Sequence, residues 1–597
     1  MCGICGELRF DHQLPDENAL ARMLDALKRR GPDSGGQFME GALALGHRRL
    51  SIIDLSPHAN QPMRDAELGL TLVFNGVIYN YRELRRELAT RGYRFFSEGD
   101  TEVILKAYHA WGRDCLAHLE GMFAFALWDA RAQRLFLARD RFGMKPLYLA
   151  RDAKRLRFAS SLPALLAAGG VSDELDPVGL QFQFTLHGSV PAPHTIFAQV
   201  KKLPPASWLE IETDGKTREE CYWRLEARRP TPERGEAESL ALIRERLYAA
   251  LQSHLLAADV PVGVLLSGGL DSSLLVALLA EQGRRDIPTF SIGFTDQPEE
   301  SGNEFQYSDA VARHFGTRHH RYLMSDAEML DKLPDAISAM SEPMFSQDNV
   351  AFYLLAREVK KEVKAVLSGQ GADEVFGGYY WYPQMAATAE NLPPLNRFAP
   401  RYFDRSHAEY LDMLTPKWRA KTQADEVSAF IASRLAAPGA DTFIDSVLRL
   451  DATTLIVDDP VKRVDNMTMA FGLEARVPFL DRALVEAAMT LPPALRLKEG
   501  GKFPLKHIAR GLLPDSVIDR PKGYFPTPAL KYLRGGFLEF IRATLTAPAC
   551  RQRGLYNPAY VKKLLAEPLS HFTPLQGNKL WHLAALECWL QRVKQRQ

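Results

Sequence analysis

A cysteine stands at the second position of this chain, in the sequence MCGICG. If Met1 is removed, Cys2 carries both a thiol and a free α-amine, and an α-amine with a pKa of about 8 can accept the thiol proton near neutral pH. One residue would then supply a nucleophile and its base. Alternatively, Cys2 and Cys5 form a redox pair or half of a zinc site. A structural zinc ion takes four ligands, however, and the chain has no second Cys-x-x-Cys.

A loop rich in glycine and serine lies near the middle of the chain. The segment SGGLDSS, residues 267–273, follows an apolar run that predicts a strand and precedes a predicted helix. In such a turn the backbone N–H groups and the helix dipole converge on one point, where they can hold an anion. The segment has neither the Gly-Lys-Ser/Thr of a Walker A loop nor the glycine spacing of a dinucleotide fingerprint. It predicts a phosphate cradle, with a glycine turn that binds nothing as the alternative.

The elements that must position these residues fall into two patterns. Up to about residue 210, short apolar runs separated by turn residues predict many strands, and helical stretches near 16–30 and 81–92 complete an α/β sandwich. After residue 238, strands and helices alternate, which indicates a doubly wound, largely parallel sheet with helical decoration from about residue 380. We therefore predict domains at 2–215 and 239–597, joined by a charged, proline-bearing linker at 216–238.

Composition excludes several classes of function. Hydrophobic residues make up 46% and charged residues 25% of the chain, as in ordinary globular proteins. Lys plus Arg number 74 against 73 for Asp plus Glu, so no overall field favours nucleic acid or an anionic membrane. No apolar run approaches the ~20 residues of a membrane span, and no secretory signal opens the sequence, so we expect a cytoplasmic protein. The six scattered cysteines predict no disulfide framework.

Seven segments of the first domain, in order, resemble class II glutamine amidotransferases, which use an N-terminal nucleophile. They are MCGICG, RGPDSGG, GHRRLSIID, FNGVIYN, SEGDTEVIL, GMFAFALWD and RDRFGMKPLY. The resemblance implies an N-terminal nucleophile (Ntn) αββα sandwich in which Cys2 attacks the side-chain amide of glutamine.

The same resemblance assigns the residues around Cys2. Asn75 and Gly76 would stabilise the tetrahedral oxyanion. Arg49 would clamp the carboxylate of glutamine, with Ile53 beside it, and Asp100 would bind the ammonium.

One position departs from the pattern. Many asparagine synthetases read Asn-Gly-Glu at this point, and their glutamate helps to hold the ammonium of glutamine. This chain has Val77 instead. We therefore expect glutamine affinity, more than the chemistry, to be affected.

The second half of the chain resembles the ATP-pyrophosphatase-type domain of glutamine-hydrolysing asparagine synthetases. The matching segments are SGGLDSS, SIGF, VLSGQGADEVFGGY, DNMTMAFGLEARVPFLD and GKFPLKHIARGLLP. The expected ATP contacts are Leu266, Ser267, Gly268, Gly269, Asp271, Ser272, Ile292, Ser368 and Gly369.

The resemblance also implies the chemistry of this domain. Asp271 and Asp373 would hold Mg²⁺ on the pyrophosphate. Lys506 would neutralise charge on the leaving phosphates, with Lys502 as the alternative lysine. The implied reaction is adenylation of a carboxylate by ATP, followed by its conversion to an amide with ammonia from glutamine.

The acceptor side carries a second departure. Asparagine synthetases commonly have Ser-Gly-Glu-Gly where this chain has Gln370, which supplies neither charge nor a proton acceptor. Together with the sequence of residues 190–208, Gln370 makes the chain resemble most closely the N-acetylglutaminylglutamine amidotransferase branch. That branch amidates an acetylated dipeptide to form an osmoprotectant. Gln370 and Asp373 would line the acceptor side.

The sequence leaves three alternatives to this acceptor and activity. Aspartate is the alternative acceptor. A non-catalytic homologue would be expected to lose Cys2, Asp271 or Lys506, and all three are present. The phosphoribosyl transferases and sugar isomerases that share the first domain would not carry SGGLDSS. We expect only small-molecule partners and leave a homodimer open.

Overall fold

The computed structural model describes residues 2–422, 424–520 and 527–595. Its first half contains two six-stranded antiparallel sheets, ordered β10-β8-β9-β1-β3-β2 and β12-β11-β7-β6-β5-β4. The strands are β1 (Gly3–Arg9), β2 (Ser34–Glu40), β3 (Leu43–Arg49), β4 (Met63–Asp65), β5 (Leu70–Ile78), β6 (Gly121–Asp129), β7 (Arg134–Arg139), β8 (Tyr148–Arg151), β9 (Arg155–Ala159), β10 (Val200–Lys202), β11 (Ser207–Glu212) and β12 (Thr217–Cys221).

The first half also contains helices, some of which pack directly on these two sheets. They are α1 (Glu17–Ala26), α2 (Tyr81–Thr90), α3 (Asp100–Trp111), α4 (Cys115–His118), α5 (Leu162–Ala167) and α6 (Pro177–Thr185). α1 and α5 pack on the first sheet and α3 packs on the second. Alternate side chains, such as Ile4 of β1 and Val73 of β5, fill the space between the sheets. The predicted αββα sandwich is therefore confirmed.

The segment predicted as a linker begins inside this sandwich. β12, at the start of the 216–238 stretch, pairs antiparallel with β11. Every side chain of β12 is exposed. The sequence therefore lacks the apolar alternation that marks a half-buried strand, and backbone pairing with β11 defines this edge.

The second half is built on a five-stranded sheet ordered β15-β14-β13-β16-β17, in which every neighbouring pair is parallel. The strands are β13 (Val262–Leu265), β14 (Pro288–Phe294), β15 (Arg318–Met324), β16 (Ala365–Leu367) and β17 (Glu474–Arg476). Because β13 and β16 are neighbours, the loops at their carboxyl ends meet at one edge of the sheet. That edge brings SGGLDSS next to residues 368–370 and confirms the predicted parallel-sheet domain.

Many helices surround this sheet. They are α7 (Glu236–Leu256), α8 (Leu270–Glu281), α9 (Phe305–Phe315), α10 (Asp326–Ala339), α11 (Asp348–Val359), α12 (Ala372–Phe376), α13 (Trp381–Ala386), α14 (Pro394–Tyr402), α15 (His407–Met413), α16 (Pro416–Arg419), α17 (Glu426–Ala436), α18 (Phe443–Leu450), α19 (Lys462–Met469), α20 (Arg482–Met489), α21 (Pro493–Arg496), α22 (Phe503–Ala509), α23 (Asp515–Ile518), α24 (Pro528–Lys531), α25 (Gly535–Thr546), α26 (Pro548–Arg553), α27 (Pro558–Ala566) and α28 (Lys579–Gln595). Between α18 and α19, residues 451–455 and 457–461 form π-helical turns. Such turns are rare and often occur at functional sites. In the described part of the chain, no helix combines the length and hydropathy needed to cross a bilayer.

Candidate active sites

Cys2 lies directly before β1 and is buried beside β5. Its backbone nitrogen donates to Asn75 Oδ1 at 2.9 Å, and its Sγ lies 4.0 Å from the carbonyl oxygen of Leu50. Burial raises the pKa of the Cys2 thiol above its ordinary value. The thiol therefore needs a base at close range to become a nucleophile, and the adjacent backbone nitrogen is in position to be that base once it is an α-amine.

Asn75 carries a second group suited to this chemistry. Its Nδ2 is buried and has no hydrogen-bond partner among the described residues. An unmatched buried donor is costly, and an oxyanion formed next to Cys2 would satisfy it. At the next position, a Cβ on Gly76 would lie 2.1 Å from the carbonyl oxygen of Met122, so only glycine fits there.

A cavity of about 350 Å³ opens beside Cys2. It is lined by Cys2, Arg49, Leu50, Ile52, Ile53, Ala59, Gln61, Phe74, Gly76, Val77, Asp100, Thr101 and Glu474. The structure thus brings together all the residues expected to bind glutamine, with Asn75 at the edge through its bond to Cys2. Val77 also lines the cavity.

Arg49 and Asp100 are held by different partners in this cavity. The Arg49 guanidinium donates from Nη1 to the carbonyl oxygen of Ser56 at 3.0 Å and to Asn60 Oδ1 at 2.8 Å. Asp100, the first residue of α3, accepts a hydrogen bond from the backbone N–H of Ile78 at 3.0 Å. Burial raises the pKa of Asp100 to about 6. Asp100 therefore carries full charge only above that pH.

Glu474 enters this cavity from the other domain, on β17. Its carboxylate pairs with Arg476 Nε at 2.6 Å. Although burial opposes the charge, neighbouring cations that include Arg476 lower the pKa of Glu474 to about 2. Nothing in the sequence marks this residue as part of the Cys2 site, because it lies more than 470 positions away and only the fold brings the two together.

A buried ion cluster also ties Cys2 to the second domain. Arg30 Nε donates to the carbonyl oxygen of Cys2 at 3.2 Å, and its Nη1 lies 2.8 Å from Asp465 Oδ2 on α19. Lys145 Nζ contacts the other oxygen of Asp465 at 3.2 Å. Asp465 is buried, but Arg30 and Lys145 hold its pKa below the usual range. One carboxylate of the second domain thus positions the arginine that holds the Cys2 backbone.

The predicted phosphate cradle borders a larger cavity of about 1670 Å³ at the carboxyl edge of the parallel sheet. Among the expected ATP contacts, it is lined by Leu266, Ser267, Gly269, Asp271, Ser272, Ile292, Ser368 and Gly369. Gly268 is the exception. It turns the chain with a φ of +76°, and a Cβ there would lie 2.5 Å from the backbone nitrogen of Ser308, so its role is to fit against α9.

Hydrogen bonds within the loop stabilise the conformation of the cradle. Ser272 Oγ lies 3.2 Å from the backbone nitrogen of Ser267 and 3.1 Å from its hydroxyl. Gly269 caps α8 with an extended backbone and needs no side-chain bond of its own. The loop is therefore fixed by its own serines while the start of α8 faces the cavity.

Two carboxylates and a lysine that line this cavity converge on one another. Lys502 Nζ lies 2.6 Å from Asp271 Oδ2 and 2.7 Å from Asp373 Oδ1. Burial opposes the ammonium, but the two carboxylates outweigh it and raise the pKa of Lys502. Lys506 lines the same cavity, yet its Nζ donates to the carbonyl oxygen of Glu499 at 2.5 Å. The carboxylates thus contact Lys502, the alternative lysine, and two convergent carboxylates beside a phosphate cradle fit Mg²⁺.

A third cavity, of about 980 Å³, adjoins the second one. Among the described residues, the side chains that line both are Asp348, Tyr379 and Arg463. Gln370 lies at this junction, with its Oε1 3.4 Å from Arg463 Nη2. Arg463 was not singled out from the sequence because it precedes the matched DNMTMAF segment by two residues.

Comparison with known proteins places this architecture. The family model described as asparagine synthase matches residues 242–591, and the one described as glutamine amidotransferase domain matches residues 1–223. The chain is 31% identical to the glutamine-hydrolysing asparagine synthetase 3 of Bacillus subtilis, across 100% of this chain and 99% of that protein. It is 32% identical to the asparagine synthetase 1 of the same organism over 99% and 96%. It is 30% identical to amidase chry2 of Gibberella zeae over 84% and 83%.

The buried carboxylate of Asp100 predicts a pH effect on glutamine use. As the pH falls through about 6, protonation removes the charge that would hold the ammonium, so the KM for glutamine should rise. Asp100→Asn should raise this KM at least about tenfold at alkaline pH and abolish its dependence on pH. Steady-state glutamine hydrolysis measured across the pH range checks both. Synthesis from added ammonia serves as the control, since it should be unaffected, and a variant whose KM still follows the wild-type profile would contradict the assignment.

The Arg30–Asp465 contact predicts a selective effect of a distant substitution. Asp465→Asn should leave Arg30 poorly held, and a shift of the Cys2 backbone should lower the kcat of glutamine hydrolysis about 10- to 100-fold. Synthesis from ammonia should change little. Both rates are measured on the same preparation, together with the melting temperature.

Asp445→Asn is the matched control for that variant. Asp445 is an equally buried carboxylate of the second domain, paired with Arg496 and Arg229. It should cost stability, as loss of a buried partner does, without separating the two activities. A parallel loss of both activities in Asp465→Asn would show that this residue has only a structural role.

Proposed function

The chain belongs to the asparagine synthase family and carries an N-terminal glutamine amidotransferase domain, and from this premise we propose that it amidates the terminal carboxylate of N-acetylglutaminylglutamine. Family membership gives the reaction class, a glutamine-dependent and ATP-dependent ligase that releases AMP and pyrophosphate. The acceptor and the role of each residue go beyond the family.

In the first domain, Cys2 attacks the side-chain amide of glutamine and forms a thioester while ammonia leaves. Asn75 Nδ2, which has no other partner in the described chain, donates to the oxyanion together with the backbone at Gly76. Arg49 and Asp100 face the two charged ends of the glutamine backbone from the walls of the cavity. Water then hydrolyses the thioester, and ammonia passes to the second domain.

In the second domain, the acceptor carboxylate attacks the α-phosphorus of ATP and pyrophosphate leaves. The SGGLDSS loop and the start of α8 cradle the phosphates. Lys502, with Lys506 close by, balances the charge of the departing pyrophosphate. Mg²⁺ would be held by Asp271 and Asp373 and would neutralise phosphate charge.

The cavity next to the ATP site supports an acceptor rich in amide carbonyls. Three of its lining side chains carry neutral donors that are buried and without a partner among the described residues: Gln347 Nε2, Trp381 Nε1 and Thr527 Oγ1. Unmatched buried donors favour a ligand that brings carbonyl oxygens to them. N-acetylglutaminylglutamine offers several carbonyl oxygens, and the cavity adjoins the ATP site where its carboxylate would be adenylated.

Aspartate is the second candidate, and two observations favour it. The curated relatives that align along the whole chain are named as asparagine synthetases. The same cavity also contains carboxylates such as Asp459 and Asp348, which could face the ammonium of aspartate. Gln370 argues the other way, since it removes a charge from the acceptor side.

Product identification separates the two acceptors. The enzyme is incubated with ATP, Mg²⁺ and glutamine plus either acetylated diglutamine or aspartate, and the amide is identified by mass. We expect the dipeptide amide to form with the higher kcat/KM. Faster formation of asparagine would reject the proposed acceptor. If neither acid supports pyrophosphate release, the proposed function is rejected.

Gln347→Ala tests the donor argument for the acceptor cavity. Loss of one buried donor should raise the KM for acetylated diglutamine about tenfold and leave the KM for ATP unchanged. Gln282→Ala, at the end of α8, is the matched control because Gln282 lines neither cavity. An unchanged KM for the dipeptide would argue against amide recognition at this position.

Cys2→Ala tests the division of labour between the domains. Without the thiol, glutamine-dependent synthesis should fall to background, whereas synthesis from added ammonia should continue because the second site is intact. Both are followed by amide formation. Equal loss of the two routes would contradict separate sites.

A further inference from the structure

Amide formation at the second site requires a base. When ammonia attacks the adenylated carboxylate, a C–N bond forms and the nitrogen of the adduct bears a positive charge. A proton must leave this nitrogen before the C–O bond to AMP breaks, with the electron pair departing on AMP. Gln370, which lies at the junction of the ATP and acceptor cavities, cannot take that proton because an amide is not a proton acceptor near neutral pH.

The same junction holds Asp348, whose carboxylate has an ion-pair contact with Arg463 at 3.7 Å but accepts no hydrogen bond from the described residues. Arg463 gathers the polar groups there: its guanidinium lies 3.4 Å from Gln370 Oε1 and 3.7 Å from Asp348 Oδ2. Arg463 also donates to Ser346 Oγ at 2.6 Å. The carboxylate of Asp348 therefore stands beside the same cation as Gln370, at the boundary that an adenylated acceptor must cross.

We propose that Asp348 is the general base that accepts the proton from the ammonia adduct. This inference rests on the proposed function of the second domain. The proton moves from the adduct nitrogen to the carboxylate of Asp348 and from there to solvent, so the products are the amide, AMP and one released proton.

Each of the other carboxylates that line the acceptor cavity has a closer partner than Asp348 has. Asp459 lies 3.3 Å from Arg463 Nη1, Glu374 accepts from the hydroxyl of Tyr379 at 2.7 Å, and Glu300 pairs with Lys531 at 2.8 Å. Asp451 accepts a hydrogen bond from Tyr382. No donor of the described chain lies within hydrogen-bonding distance of the Asp348 carboxylate, whose side chain is 24% exposed toward the cavities.

The surroundings of Asp348 suit this task. Burial raises the pKa of Asp348 to about 6, and the guanidinium of Arg463 limits the rise. The other charged groups that face it are Asp459, His187 and Glu300. A carboxylate with such a pKa is ionised at neutral pH and remains a useful proton acceptor. Its place as the first residue of α11, in a packed core, keeps it fixed in position.

Two half-reactions test the proposal separately. Acceptor-dependent exchange of labelled pyrophosphate into ATP measures adenylation, and mass detection of the amide from ammonium chloride measures the complete reaction. In Asp348→Asn, exchange with acetylated diglutamine should remain near the wild-type rate while amide formation falls about 100-fold. The acidic limb of the pH profile of amide formation, near pH 6 in the wild type, should disappear.

Hydroxylamine adds an independent readout. Its adduct is more acidic than that of ammonia and loses a proton to water more easily. The loss in Asp348→Asn should therefore be clearly smaller with hydroxylamine, and Asp348→Glu should recover part of the ammonia rate. Glu328→Gln is the control. The Glu328 carboxylate pairs at 2.6 Å with Arg357, which lies on the same helix α11 as Asp348, but Glu328 lines neither cavity.

The outcomes are distinct. Retained amide formation in Asp348→Asn, or a parallel loss of exchange and amide formation, would overturn the role as a base. Absence of pyrophosphate exchange in the wild type with acetylated diglutamine would instead defeat the proposed acceptor. In that case the same pair of measurements with aspartate decides the role of Asp348.

Discussion

The arrangement of the two sites depends on a carboxylate buried between the domains. Asp465 accepts contacts from Arg30 and Lys145 of the first domain, and Arg30 in turn holds the carbonyl oxygen of Cys2. Buried charges cost several kcal/mol each to desolvate, so such a cluster is a poor way to gain stability unless each partner is in place. Its value here is geometric, because through Arg30 it holds the backbone of the residue that carries the nucleophile.

A second buried cluster holds the same two domains together. Lys202 of β10 lies 3.0 Å from Glu342 and 2.8 Å from Asp458. Asp458 belongs to the π-helical turns that lead into α19, the helix that carries both Arg463 and Asp465. Arg463 faces the ATP and acceptor cavities, and Asp465 faces Cys2 through Arg30. One short helix thus contacts both sites. A displacement of α19 would therefore move Arg463 at the acceptor cavity and Asp465, the partner of Arg30, at the same time.

The sequence predicted what lies within single motifs. Four of the expected glutamine-binding residues, Arg49, Ile53, Gly76 and Asp100, do line one cavity. SGGLDSS does lead from a parallel strand into a helix, as its local pattern predicts. It could not predict Glu474 beside Cys2 or Asp348 beside Gln370. Those pairs come from distant segments, and only the sheet order and the packing of α11 on α19 bring them together. The exposed edge strand β12 was missed for a related reason, because backbone pairing leaves no pattern of side chains.

The two lysines show where periodicity stops being informative. Lys502 and Lys506 are one helical turn apart, and on a regular helix both would point the same way. Lys502 instead precedes α22 with a φ of +58°, a conformation that residues with side chains rarely adopt. This turn directs its ammonium between Asp271 and Asp373, whereas Lys506 returns to the carbonyl of Glu499. A strained residue persists where surrounding contacts enforce it, and here the contacts are the two carboxylates that would meet the phosphates. The ammonium bridges the two carboxylates and offsets the repulsion between their charges, and this pairing compensates for the strained backbone at Lys502.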